Sequence, residues 1–233
     1  MKKLFLYFSL LTLTVIHGQE LNQFDTDGKR HGKWEKKYEG TNKLRYQGQF
    51  VHGKEVGTFK FYHKEAKGLH PSCIKEFTKT SDIVQVKYYT STGIFLSEGK
   101  TKGKLRIGTW KYYERVSGVL IEQEEYEEGM LNGIKTSYYQ NGKVLQTETY
   151  KDDLLEGKKT MYAPNGNIVS EYTYAKGKRN GYFTEYDNKG EKSLTGKYTD
   201  NKPRGVWKYY TDGKLTRTKD YTLSNNPKKK KRK

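Results

Sequence analysis

The stretch at residues 205–221, GVWKYYTDGKLTRTKDY, repeats a phrase already written at residues 108–126, GTWKYYERVSGVLIEQEEY. Aligning the phrase on its first glycine finds further copies along the chain. The anchors are Gly32, Gly57, Asp82, Gly108, Gly133, Gly157, Gly181 and Gly205, spaced 25, 25, 26, 25, 24, 24 and 24 residues apart. Self-similarity at so steady a period marks a repeat architecture. A turn glycine follows each anchor after 8 to 11 residues, at Gly40, Gly68, Gly93, Gly118, Gly142, Gly166, Gly190 and Gly213. Asp82 stands where the third unit should carry its glycine, so that unit is the least regular.

Each unit predicts a β-hairpin. At the second position after the anchor lie Trp34, Phe59, Val84, Trp110, Lys135, Lys159, Phe183 and Trp207. Two residues further on lie Lys36, Phe61, Val86, Tyr112, Ser137, Met161, Glu185 and Tyr209. Side chains alternate along a strand, so these two columns share one face. The fifth position carries Tyr62, Tyr113, Tyr138, Tyr162, Tyr186 and Tyr210 and faces the other way. Asn141-Gly142, Asn165-Gly166 and Asp212-Gly213 tolerate positive φ and suit tight hairpins. The returning strand ends in Tyr126, Tyr150, Tyr174, Tyr198 or Tyr221, each eight residues past its turn glycine. Cross-strand aromatic pairs contribute roughly 0.2–1 kcal/mol each, so stability has to come from neighbouring hairpins. Lys135 and Lys159 interrupt the aromatic column, and the centre of the sheet is expected to be its weakest or most solvated part.

Composition agrees with a thin core. Only 33% of the 233 residues are hydrophobic, yet 14% are aromatic, with 21 Tyr, which is too rich for a disordered chain. The single cysteine, Cys73, excludes a disulfide framework and is read as a buried thiol. Residues 1–18 carry the three parts of a secretory leader: Lys2 and Lys3, an apolar run at 4–16, and a small residue near His17-Gly18-Gln19. The run is short of the ~20 residues that span a bilayer. Residues 19–25 form a short lead-in, 26–222 the eight repeats, and 223–233 a basic tail expected to be disordered.

The unit G-x4-G-x-W-x-Y-Y-x-x-G-x-L…Y resembles the MORN repeat, in the variant form found in bacterial proteins. The clearest copies are residues 201–221, with Gly205, Trp207, Tyr209, Tyr210, Gly213 and Leu215, and residues 103–126, with Gly108, Trp110, Tyr112 and Tyr113. Residues 27–44 carry Gly28, Gly32 and Trp34. Asp153 and Asn201 replace the first glycine of the pair in two units, and both residue types still make tight turns. The resemblance implies an all-β chain: an elongated, twisted antiparallel sheet of about eight consecutive hairpins. It also implies a grouping with chains of the YwqK antitoxin type. It brings no catalytic residues, and such repeats serve as binding or scaffolding surfaces.

The sequence offers little for catalysis. G-x-S-x-G, H-E-x-x-H and G-x4-G-K-[ST] are absent. His31 and His52 are read as part of the repeat consensus, in the turns between hairpins. His63, His70 and Cys73 fall in one expanded loop, at spacings that fit no standard zinc pattern. Glu124, Glu125, Glu127 and Glu128 form an acidic patch that suits hydrolytic chemistry, a solvated face or a clamp for lysine.

The formal charge is +18, of which the tail Lys228, Lys229, Lys230, Lys231, Arg232 and Lys233 supplies six. Four readings of the tail stay open: an inert solvated end, a tether to anionic surfaces, a nuclear import signal and an engineered tag. The repeats retain +10, with lysine interleaved among tyrosines as in KYY and GKYTDNKPRG. That pattern suits stems covering rings, or stacking on single-stranded nucleic acid. The leading expectation is an exported, non-enzymatic binding or scaffolding surface for a protein or an anionic envelope component. No cofactor, metal or small-molecule substrate is expected. The alternatives are a cytosolic antitoxin that neutralises a toxin by direct binding, and a nucleic-acid or host-nuclear binder using the basic tail.

Overall fold

The computed structural model describes residues 20–66 and 68–222. The leader at 1–18 and the basic tail, Lys228 to Lys233 included, lie outside the described residues.

The chain is all-β. The described residues form eighteen strands: β1 Gln23–Phe24, β2 Arg30–Lys37, β3 Leu44–Val51, β4 Lys54–Phe61, β5 Cys73–Phe77, β6 Ile83–Tyr89, β7 Phe95–Lys102, β8 Leu105–Tyr113, β9 Leu120–Glu127, β10 Met130–Leu131, β11 Gly133–Tyr138, β12 Val144–Lys151, β13 Leu154–Tyr162, β14 Ile168–Ala175, β15 Lys178–Tyr186, β16 Lys192–Thr199, β17 Lys202–Thr211 and β18 Lys214–Asp220. Every pairing is antiparallel and follows chain order, apart from β10, which lets β9 pair with β11 as well. Eight hairpins, β2–β3 through β17–β18, thus make one open sheet, and the lead-in adds β1 at one edge. Among the described residues no register joins the last strand back to the first. An open edge invites pairing with another chain. Here one edge strand is two residues long, and the other, β18, is wholly exposed and carries Lys214, Arg217 and Lys219.

Two kinds of turn alternate. Successive hairpins are mostly joined by two residues, both at positive φ, as at His52-Gly53, Glu128-Gly129 and Lys176-Gly177. Their twist matches that of the flanking strands. Asp153 (φ 64°) and Asn201 (φ 65°) hold the second position of such turns, as the sequence predicts. Asp212-Gly213 is of this tight type as well. Asn141-Gly142 and Asn165-Gly166 are not. They sit in five-residue loops, in which Asn141 Oδ1 accepts from Lys143 N at 3.0 Å and only the glycine has positive φ.

The columns read from sequence hold except in the third unit. In most hairpins the register shifts just before the fifth-position tyrosine, as between Tyr112 and Tyr113 and between Tyr209 and Tyr210. In the third hairpin the shift falls between Tyr88 and Tyr89. That aligns VKYY at 86–89 with WKYY at 110–113. Val86, not Val84, is therefore the counterpart of Trp110, and Val84, not Asp82, takes the anchor position. Elsewhere the anchor glycine sits across from a ring, as in Gly32↔Phe50, Gly57↔Phe77, Gly108↔Tyr126 and Gly181↔Tyr198. Val84 faces Thr101. The anchor glycines Gly32, Gly57, Gly108, Gly133, Gly157, Gly181 and Gly205 all have positive φ, which is why this column tolerates so little else.

The core centres on one row of residues running across the strands: Trp34, Gly48, Phe59, Lys75, Val86, Gly99, Trp110, Glu124, Lys135, Glu148, Lys159, Tyr172, Phe183, Gly196 and Trp207. Phe50, Val56, Cys73, Val84 and Leu131 are buried beside it. Phe59 and Trp110 are 1% exposed and Val86 is fully enclosed. The rings lie flat over glycines of the preceding strand. A methyl group at Gly48, Gly99 or Gly196 would overlap the ring of Phe59, Trp110 or Trp207. At Lys135 and Lys159 the glycine is replaced by glutamate. Lys135 Nζ lies 3.0 Å from Glu124 Oε1 and 2.8 Å from Glu122 Oε2, and Lys159 Nζ lies 2.7 Å from Glu148 Oε1. Glu124 and Glu148 are 8% and 6% exposed, so the centre of the sheet is not its most solvated part. The fifth-position tyrosines point to the opposite face, where Tyr113 packs on Phe95 and donates to Glu98, and Tyr186 donates to Glu171.

Two outcomes follow from this row. Trp110→Ala should cost about 3–5 kcal/mol and Gly99→Ala about 1–3 kcal/mol in chemical denaturation. In the Trp110→Ala background Gly99→Ala should cost almost nothing, because the overlapping ring is gone. Lys159→Phe alone strands a buried carboxylate and should cost about 3–5 kcal/mol. Adding Glu148→Gly, which recreates the glycine–ring pair used elsewhere, should recover most of that loss.

Candidate binding surface

Three features of the described residues have chemistry to offer. The first is the charged centre of the row. Arg106 stacks over Trp110 (4.5 Å) and Tyr126 (5.3 Å). Its guanidinium donates to the hydroxyls of Tyr112 (2.8 Å) and Tyr126 (3.1 Å). Tyr126 donates onward to Glu124 Oε2 at 2.9 Å, and Lys135 donates to Oε1. Burial alone would raise the Glu124 pKa, but hydrogen bonds from Tyr112, Lys135 and Tyr126 outweigh it and hold the carboxyl below its usual range. Burial and the hydrogen bond to Glu124 push Tyr112 upward. Burial opposes the charge on Lys135, yet its bonds to Glu122 and Glu124 win and raise its pKa. A general acid at neutral pH has to be held protonated. Glu124 is held ionised with its oxygens saturated by donors, which makes it the clamp for lysine among the roles open to this acidic patch. Glu125 belongs to the other face, where it accepts from Thr109 Oγ1 at 3.0 Å.

The second feature is a groove of about 1140 Å³ at the joint between the second and third hairpins. Two departures from the repeat create it. Thr101 stands where other units place a ring across from the anchor. The joint itself, residues 78–82 between β5 and β6, is longer than the two-residue turns elsewhere. Its shape is fixed from within, because Ser81 N donates to Thr78 Oγ1 and Ile83 N donates to Ser81 Oγ, each at 3.1 Å. The walls are apolar at Val56, Phe77 and Val84, and lined with Lys54, Lys75, Lys79 and Lys104. Glu55 and Asp82 are the acidic residues of the lining, and Asp82 pairs with Lys102 at 3.5 Å. Lysine is thus in excess over an apolar floor.

The third feature is a group of Asp25, His31 and His52, whose ligand atoms lie within 4.8 Å of one another. His31 is in strand β2 rather than in a turn. Among the described residues the other histidines, His63 and His70, form no such group. His63 and His70 are exposed, whereas Cys73 is buried against Val84, Val86 and Trp110. Burial pushes the Cys73 thiol upward, against the pull of Lys75, which disfavours a reactive thiolate.

The sequence reading singles out Glu124 in its acidic patch, but names neither the groove nor the group of Asp25, His31 and His52 as a site. The groove was hidden by the misplaced anchor in the third unit, and VKYY at 86–89 was the signal that could have revealed it. The signal for the charged pairs was also present. The residue eleven positions upstream of each row residue is Gly before Phe59, Trp110 and Trp207, and Glu before Lys135 and Lys159.

No protein-family model matches the chain, and no curated protein matches it. What the fold establishes is an all-β chain in which consecutive hairpins build one long antiparallel sheet.

A depressed carboxyl pKa stabilises the folded state above the unfolded value of about 4.3, and that stability is lost as pH falls through the folded value. Glu124→Gln should therefore destabilise the protein near neutral pH, with the difference from the parent chain shrinking as pH falls below about 4. Denaturant titrations across that window measure it. A difference independent of pH would mean that Glu124 acts by shape and not by charge.

Proposed function

We propose that the chain is a MORN-like repeat protein that works without catalysis, as an exported binding surface for an anionic partner of the cell envelope. The groove at the joint between the second and third hairpins carries this reading. An anion needs cations held near a surface that limits water, and a lipid or amphiphile also needs apolar wall to cover its body. Lys54, Lys75, Lys79 and Lys104 around Val56, Phe77 and Val84 meet both needs. The sheet supports the same role. A single layer leaves both faces open to partners, and the packed row makes it a rigid platform.

The test is sedimentation with vesicles containing phosphatidylglycerol against vesicles of phosphatidylcholine alone. The parent chain should bind only the anionic vesicles, and binding should weaken with added salt. A basic residue near an anionic surface contributes up to about 1 kcal/mol, so Lys54→Glu with Lys104→Glu should weaken binding by roughly 30-fold or more. A chain lacking residues 228–233 separates the groove from the basic tail. If that truncation abolishes binding while the groove variant keeps it, the tail is the tether and the groove reading fails.

A further inference from the structure

The first joint of the sheet differs chemically from every later one. The turn at His52-Gly53 docks on strand β2, with Gly53 N donating to Arg30 O at 2.8 Å. The same docking recurs along the sheet, as in Gly129 N to Arg106 O, Asp153 N to Leu131 O and Asn201 N to Arg179 O. The first turn residue and the residue that follows the acceptor are Glu128 and Ile107, Asp152 and Asn132, Lys176 and Glu156, or Asp200 and Asn180 at those joints, whereas at the first joint they are His52 and His31. The two imidazole rings lie 5.2 Å apart. His52 itself is held at φ 47°, a conformation this turn imposes on its first position.

The lead-in supplies a third ligand that no later joint has. Asp25 follows β1, and its side chain is 9% exposed. Oδ1 accepts from Asp27 N at 3.0 Å and Lys29 N at 2.8 Å, which fixes the carboxylate. Those backbone bonds, led by that from Lys29, keep it ionised against the cost of burial. Oδ2 is left facing His52 Nδ1 at 2.7 Å. The nearby Lys29 turns to Asp27, 3.5 Å away, and Arg30 lies over the rings of Trp34 and Phe50.

We propose that Asp25, His31 and His52 bind one divalent transition-metal ion of the zinc type, with the remaining position open to water or to a partner's ligand. Two imidazoles and a carboxylate are a donor set suited to such an ion. Bonds of about 2.0–2.1 Å in tetrahedral geometry place ligand atoms about 3.3 Å apart. Asp25 and His52 need only part slightly to admit the ion. His31 reaches it by a rotamer change, since it lies on an exposed strand end with room to turn. The ion takes the place of the hydrogen bond between His52 Nδ1 and Asp25 Oδ2, both of which face it as unprotonated ligand atoms.

The experiment is calorimetric titration of the purified full chain with Zn²⁺, with native mass spectrometry for stoichiometry. One Zn²⁺ per chain is expected. His31→Gln and His52→Gln should each weaken binding by at least the roughly 10- to 100-fold that loss of an outer-shell partner costs, while His63→Gln and His70→Gln leave it unchanged. Melting temperatures without metal check that the variants fold. His52 also lines the anion groove, so metal stoichiometry and affinity are the readout and vesicle binding is not. Absence of a one-to-one complex overturns the proposal, as does a complex insensitive to both His31→Gln and His52→Gln. Vesicle binding kept in the lysine variants, with zinc binding intact, would sink the groove and leave this site standing.

Discussion

A sheet one layer thick has nothing to bury its side chains against except its own neighbours. In this chain each row residue is covered by the residue before it and the residue after it, across adjacent strands. Phe183 is met by the ring of Tyr172 on the preceding strand, but three further rings are enclosed because the preceding strand gives up its side chain. Gly48 does so for Phe59, Gly99 for Trp110 and Gly196 for Trp207. The rest of the molecule is arranged around that exchange of bulk for space. The anchor glycines bend each strand so that a ring from the returning strand can close the row from the side. Arginines also lie over rings of the row, Arg30 over Trp34, Arg106 over Trp110 and Arg179 over Tyr172.

The charged centre obeys the same rule by other means. A lysine is long and thin, and a glutamate upstream of it fills the space a ring would have taken. Both charges lose water, so each depends on the other, and on the tyrosine and arginine donors around Glu124. Lys135 and Lys159 are therefore no gap in the core. They mark a change from packing by shape to packing by charge, carried out at fixed register.

Much of this was legible in the sequence because repetition removes ambiguity. Two copies of G-x-W-x-Y-Y say little, but eight related units in register fix the period, the hairpins and the two faces. The third unit misled because alignment followed spacing, and the long loop of the second hairpin carries extra residues. Backbone pairing does not count residues from the previous glycine. It follows the strand, and VKYY at 86–89 pairs as WKYY does. The charged pairs were legible only as a correlation between positions eleven apart, across a bulge that hides them from simple alternation. His31 and His52 were read as two independent consensus positions. Their meeting depends on how the turn docks on β2, which is a property of the backbone and not of either residue.

The irregular unit is also where a linear repeat can acquire specificity. A perfectly periodic sheet presents the same surface at every joint, so any ligand it binds has several equivalent sites and no fixed register. Breaking the period once creates a place unlike the others. Replacing a ring by Thr101 and lengthening the joint at residues 78–82 opens an apolar floor that regular joints keep covered, and the lysines around it set the sign of the charge. The loss of packing stays local because each hairpin is held mainly by its immediate neighbours, and Val86 and Cys73 still close the row beneath. The surrounding repeats supply the rigidity that this joint gave up, so the period can break once without unfolding the sheet.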